Sequence, residues 1–116
     1  MSFEIILYPD AIFDIQEGIN YYKLVSNELG KKFLFQVNNT FSELRQFPFY
    51  EIRYDNVRMR KIKVFPYVIH FTVDEEKSIV NIYGIRFALQ NPESSWFLKE
   101  EIESYKSAIE IENHGN

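Results

Sequence analysis

The run Arg58-Met59-Arg60-Lys61-Ile62-Lys63-Val64-Phe65-Pro66-Tyr67-Val68-Ile69-His70-Phe71-Thr72-Val73 decides the fold. It is rich in β-branched and aromatic residues, and its side chains alternate in character with the period of two that a half-buried strand requires. Arg58 to Val64 and Tyr67 to Val73 are therefore expected as two strands, divided at Phe65-Pro66. Alternation puts Tyr67, Ile69, Phe71 and Val73 on one face, with Val68, His70 and Thr72 on the other. Arg58 and Arg60 share a face by the same rule, and Lys61 and Lys63 fall on opposite parity to them. The polar loop Asp74-Glu75-Glu76-Lys77 turns the chain into a third strand, Ser78 to Phe87. Asn91-Pro92 closes the sheet.

Upstream the period is that of helices. Phe3 to Tyr8 forms a first strand bounded by Pro9-Asp10. Proline near the first turn and acids at Asp10, Asp14 and Glu17 suit a helix start, where negative charge meets the positive end of the dipole. Ile12, Ile15, Ile19 and Tyr22 recur at spacings of three and four, a core stripe. Gly18 within it costs about 1 kcal/mol relative to alanine, which close packing would explain. Ser26 caps a second helix whose stripe is Leu29, Phe33, Val37, Phe41 and Leu44, ending before Phe47-Pro48. The link is so short that residues 10–46 must form an antiparallel helical hairpin. After the strands, Leu98, Ile102, Tyr105 and Ile109 predict a third, amphipathic helix with a frayed tail, Glu112 to Asn116. The expected order is β-α-α-β-β-β-α, an α+β domain with a small antiparallel sheet.

The chain of 116 residues fits one domain. At 46% hydrophobic and 26% charged it is an ordinary globular composition, and aromatics at 17% let a small core fill with few large side chains. There is no cysteine, which excludes a disulfide framework, a thiolate metal site and a thiol nucleophile, and fits a reducing compartment. The N-terminus has neither the basic start nor the apolar run of a signal peptide, and no stretch suggests a membrane span. A cytoplasmic protein is expected. The net charge of −4 is unevenly distributed. Residues 45–92 carry eight Lys and Arg against five acids, whereas residues 93–116 carry two Lys against six Glu. With a pI of about 5.2, strong non-specific nucleic-acid binding is not expected. No His, Asp and Glu cluster has metal-ligand spacing, so neither metal nor organic cofactor is implied.

Several pieces in order resemble one family. Leu7-Tyr8-Pro9, then Ala11-x-x-Asp14-Ile15-x-x-x-Ile19-x-Tyr21-Tyr22 and Leu29-Gly30-x-x-Phe33, open the likeness. Phe47-Pro48, Arg58-Met59-Arg60-x-Ile62-x-x-Phe65-Pro66-Tyr67-x-Ile69-x-Phe71, Ile82-x-Gly84-Ile85 and Asn91-Pro92 complete it. This succession resembles the RelE/ParE toxins of bacterial type II toxin–antitoxin modules across residues 3–92. The resemblance implies a sheet backed by the helical hairpin, a toxin domain over 1–92, and residues 93–116 as a C-terminal helix and tail of the same domain. It also implies growth inhibition, plasmid stabilisation and a cognate antitoxin that wraps the toxin.

Two branches of that family differ in target. The mRNA-cleaving, ribosome-dependent branch uses clustered Lys and Arg to steady a scissile phosphate and move protons. Lys61-Ile62-Lys63 matches its Lys-x-Lys, but Val68 stands where an Arg is expected, and Arg86-Phe87-Ala88 holds one basic residue where a pair is expected. Nor does a Tyr follow at the expected spacing, where Trp96 stands nearest. The DNA gyrase-inhibiting branch has no required catalytic set, though its usual strand-end His and Arg are missing here. The expectation is therefore a toxin on the ParE-like side that binds a DNA-handling target such as gyrase through Arg58, Arg60 and Arg86. Lys61, Lys63 and Arg86 are the set for the nuclease alternative, and a non-toxic binding partner with the same fold is the third.

The same residues have plainer readings. The basic strand could be a solvated one whose charges protect a sheet edge. A lone His such as His70, beside Thr72, is more often a hydrogen-bonded residue than a general base. Tyr21 and Tyr22 suit packing with wet hydroxyls. The stripe Leu98 to Ile109 suits either this chain's own sheet or a partner. Its glutamates are placed to shield the basic strand, so deleting 93–116 should raise target affinity at low salt.

Overall fold

The computed structural model describes residues 2–88. Seven elements follow in order: β1 (Glu4–Leu7), α1 (Pro9–Lys23), α2 (Asn27–Gln46), β2 (Ile52–Tyr54), β3 (Val57–Lys61), β4 (Tyr67–Asp74) and β5 (Ile79–Phe87). The α+β class and the order strand, two helices, strands agree with the sequence reading. The expected last helix, within 93–116, lies outside the described residues, as do Asn91-Pro92 and Trp96.

The helical hairpin forms as its pattern dictates. Ser26 is extended at the N-cap of α2, and its hydroxyl accepts from the Leu29 amide at 3.1 Å. Leu29, Phe33, Val37, Phe41 and Leu44 are all buried. On α1 the buried face is Ala11, Gly18 and Tyr22 with Ile15 and Ile19 packed against it, while Ile12, expected in the stripe, is exposed. A Cβ on Gly18 would stand 2.5 Å from the Phe33 ring, so glycine there lets the helices close on an aromatic side chain. Tyr22 is fully buried rather than wet at its tip, in contact with the rings of Phe33 and Phe65, whereas Tyr21 is exposed.

The sheet has five strands in the order β1-β5-β4-β3-β2. It differs from expectation in three respects. First, it is mixed rather than antiparallel, because β1 runs parallel to β5, with Glu4 opposite Ile79 and Leu7 opposite Ile82. The antiparallel helix pair returns the chain to the side of the sheet it left, which allows this crossover. Second, Ile52–Tyr54 adds an outer strand, joined to β3 across Asp55-Asn56 with Asp55 at φ 48°. Three residues are too few for alternation to show, and β2 covers β3 only at Val57 and Arg58, leaving Met59 and Arg60 without a strand partner on that side among the described residues. Third, β3 stops at Lys61, not Val64. Val64 takes φ 74°, and the bend it makes carries Phe65 into the core. Ile62 still donates to the Tyr67 carbonyl at 2.9 Å, closing the connection to β4. The core lies between the hairpin and one face of the sheet, joining Phe33, Val37 and Phe41 to Ile69, Phe71, Val80, Ile82 and Ile85.

Candidate functional site

β3 distributes its basic side chains by parity. Arg58 and Arg60 lie on the face shared with Ile69 and Phe71, their direct partners on β4, which is the helix side. There they are occupied. Arg60 Nη2 is 3.2 Å from Glu43 Oε2 on α2, and its guanidinium lies over the Tyr50 ring at 4.9 Å. Arg58 Nη1 donates to the Tyr50 carbonyl at 2.8 Å and stands over the Phe49 ring at 5.6 Å. Together the two arginines fasten the connection after α2, including Phe49 and Tyr50, to the sheet. In both, Nε is enclosed and makes no hydrogen bond.

The opposite face collects a different set. Cross-strand register places Lys61, Val68 and Arg86 in one row, and Met59, His70 and Gly84 in the next. Adjacent strands are about 4.8 Å apart, so each row is about 10 Å long. Lys61 Nζ donates to the neighbouring Ile62 carbonyl at 3.0 Å. Lys63 lies past the end of β3, exposed on the bend, so the expected Lys-x-Lys pair does not share a strand. Of the three residues expected to bind a target, Arg58 and Arg60 are brought together and Arg86 lies on the other side of the sheet. Of the nuclease set, Lys61 and Arg86 share a row without Lys63.

Arg86 is held at the rim by a device built from two elements. β1 pairs with β5 only as far as Ile82, which leaves the next part of that edge open. Asp14 of α1 fills it: its Oδ2 accepts the Ile85 amide at 2.9 Å and stands 3.8 Å from Arg86 Nε. A Cβ on Gly84 would meet Arg86 Nε at 2.9 Å and Asp14 Oδ2 at 3.3 Å, so the missing side chain is what admits both groups. Asp14 thus serves the sheet edge, not the dipole of its own helix, whose first turn holds Asp10. Beside this device a cleft of about 240 Å³ opens between α1 and β5, lined by Asp14, Glu17, Gly18, Tyr21, Tyr67 and Arg86 among others.

His70 completes the outer face. Its Nδ1 pairs with the Tyr54 hydroxyl at 3.2 Å, while Nε2 is enclosed without a partner. Burial lowers its pKa from the usual 6.5, the positive charge of Arg86 lowers it further, and Asp14 opposes both. Chemically the face offers an imidazole, a phenol and two cations beside apolar Met59 and Val68. Sequence reasoning missed Tyr54, Asp14 and Gly84. Asp14 and Gly84 were visible inside the family-like motifs, but only the fold shows that they meet. Among the described residues no group of three His, Asp or Glu side chains is gathered as metal ligands would be.

Part of the hairpin's outer surface is apolar. Ile12, Phe13 and Tyr21 on α1, Leu24 just after it and Phe35 on α2 are all more than half exposed. A shallow groove of about 320 Å³ lies between the helices, lined by Ile19, Lys23, Asn27, Gly30, Lys31 and Leu34.

Among solved structures, the chain shares its fold with a chain of the chromosomal ParDE TA system from P. aeruginosa. The TM-score is 0.65 at 15% identity, over 74% of this chain and 96% of that one. No family model and no curated protein matches the sequence.

Proposed function

We propose that this chain is the toxin of a type II toxin–antitoxin module. It acts in the cytoplasm by protein–protein binding to a DNA-handling target such as gyrase, and a cognate antitoxin neutralises it by lying across the sheet and hairpin. The observation that carries the reading is the fold, shared across nearly the whole of a chain from a ParDE system. The apolar residues left exposed on the hairpin, from Ile12 to Phe35, supply a surface for the antitoxin. Arg86, more than half exposed and fixed by Asp14 and Gly84, is the basic residue we place at the target interface. Arg58 and Arg60 contribute to it by holding the segment that carries exposed Phe47 and Phe49. Pulse labelling after induction of this chain alone tests the reading. DNA synthesis should stop before protein synthesis, and co-expression of the antitoxin should restore growth. Arrest of protein synthesis first would overturn it.

A second reading, ribosome-dependent mRNA cleavage, is favoured by one observation. Lys61 and Arg86 stand in one row of the outer face, two cations able to steady a scissile phosphate. Under that reading the double variant Lys61→Ala, Lys63→Ala abolishes toxicity. Under the first reading it leaves toxicity nearly intact. Overexpression without effect on either synthesis would instead mark a non-toxic partner protein with the toxin fold.

A further inference from the structure

β1 is an end strand of the sheet, paired on one side only, with β5. The Glu4 amide donates to the Ser78 carbonyl at 2.9 Å, and the Tyr8 amide to the Ile82 carbonyl at 3.0 Å. Strand backbones alternate in direction, so Ile6 faces β5 with them, while Phe3, Ile5 and Leu7 turn their backbone groups away from the sheet. The Phe3 amide donates to the Arg45 carbonyl at the end of α2, at 2.7 Å. Among the described residues nothing accepts from the amides of Ile5 or Leu7. Such an edge is a template for another strand. The side chains of Ile5 and Leu7 pack on the core, which leaves Ile6 and Tyr8 to the other face. There both are more than one-third exposed.

We propose that the strand this edge accepts is β1 of a second copy, paired antiparallel about a twofold axis through Ile6. The edge complements itself in that register better than in any neighbouring one. Ile5 stands opposite Leu7 of the second copy and Leu7 opposite its Ile5, so the outward N–H and C=O groups of both residues are all used. A register centred on Ile5 would call on the Phe3 amide, which the Arg45 carbonyl already holds. One centred on Leu7 would set Ile5 against Pro9, which has no N–H to give. A slip of one residue would oppose outward groups to inward ones and turn side chains to the wrong face. Charge selects the same register. Glu4, the only charged residue of β1, faces Tyr8 of the second copy, and the two Glu4 carboxylates stay about 13 Å apart along the strands. Exposed Ile6 meets its own counterpart on the axis, at the Cα spacing of about 4.5 Å of a non-hydrogen-bonded pair. Two five-stranded sheets become one, with both hairpins on the same face. The proposal concerns the sheet edge and stands whether or not the toxin reading does.

The mass of the full chain in solution is the test. Sedimentation equilibrium at rising concentration should approach twice 13.9 kDa. Ile6→Lys sets like charges face to face on the axis and replaces a side chain outside the core. It should raise the dissociation constant at least about tenfold and leave the circular dichroism spectrum unchanged. Mixing Ile6→Lys with Ile6→Glu should recover the dimer. Ile6→Cys gives a second readout that adds no charge, in a chain with no other cysteine. Mild oxidation should link it into a covalent dimer several-fold faster than Glu4→Cys. A parent chain that stays monomeric at millimolar concentration would leave the edge to another protein's strand and overturn the proposal. A dimer indifferent to Ile6→Lys, or equal linking at the two cysteines, would put the contact elsewhere and overturn it too.

Discussion

The two faces of this sheet treat the same side chain differently. On the helix side, Arg58 and Arg60 are spent internally, over Phe49 and Tyr50 and against Glu43. On the other side, Arg86 keeps more than half of its side chain in solvent and is held only at its root by Asp14 and Gly84. A basic run in sequence is thus not a basic surface: strand parity sends half of it inward, and what it meets there decides whether it packs or binds. An arginine can be buried along its stem and still place its charge well, which is how β3 uses two cations as structural pins.

The helix-side face owes its rigidity to aromatic packing, and the largest effect should come from breaking that. Phe33 touches Tyr22, Phe65 and Tyr67, and its ring closes against Gly18. Phe33→Ala should cost about 3–5 kcal/mol, measured by urea unfolding of the full chain. A loss below about 1 kcal/mol would mean that the hairpin does not rest on this ring.

Much of this core was legible beforehand. The α2 stripe needed only spacing, and Ser26 and Gly18 needed only the chemistry of caps and close approach. Where reading failed, the reason lay in neighbours that are distant in sequence. Ile12 matches the α1 period yet faces solvent, because the small Ala11 and Gly18 are what the second helix and the sheet approach. β2 is three residues long, below the length at which alternation is visible. Lys63 appeared paired with Lys61 until the left-handed turn at Val64 took it off the strand. The outer-face site was the least legible part, since Tyr54, His70, Asp14 and Gly84 come from four different elements. Strand register and the packing of α1 against the edge of β5 bring them together.

A pair of substitutions sharpens the contrast between the faces. Arg60→Ala removes an ion pair with Glu43 whose side chains are about one-third exposed and a contact over Tyr50, and should cost about 1–2 kcal/mol in all. Arg86→Ala removes a more exposed side chain and its long 3.8 Å contact with Asp14, and should cost less than about 1 kcal/mol. For toxicity the ranking should reverse once stability is matched by lowering the growth temperature, with Arg86→Ala the more harmful change. Equal stability losses at the two positions would erase the distinction between a pinning and a presenting arginine.

The smallest effect reports most directly on the outer face. An imidazole in an unfolded chain titrates near 6.5. In the folded chain burial and then Arg86 hold His70 lower, with Asp14 opposing. As the pH falls through about 6.5, the unfolded chain therefore takes up a proton that the folded chain refuses. Stability that is fully present above that pH declines toward the folded pKa. His70→Gln, which cannot titrate, should flatten this slope in urea unfolding between about pH 5 and 7. The causes separate by NMR titration of the imidazole in the full chain, which has two histidines to assign. Arg86→Ala should move the His70 pKa up, and Asp14→Asn should move it down. If Arg86→Ala leaves it in place, burial alone lowers it, and the guanidinium does not act on the imidazole.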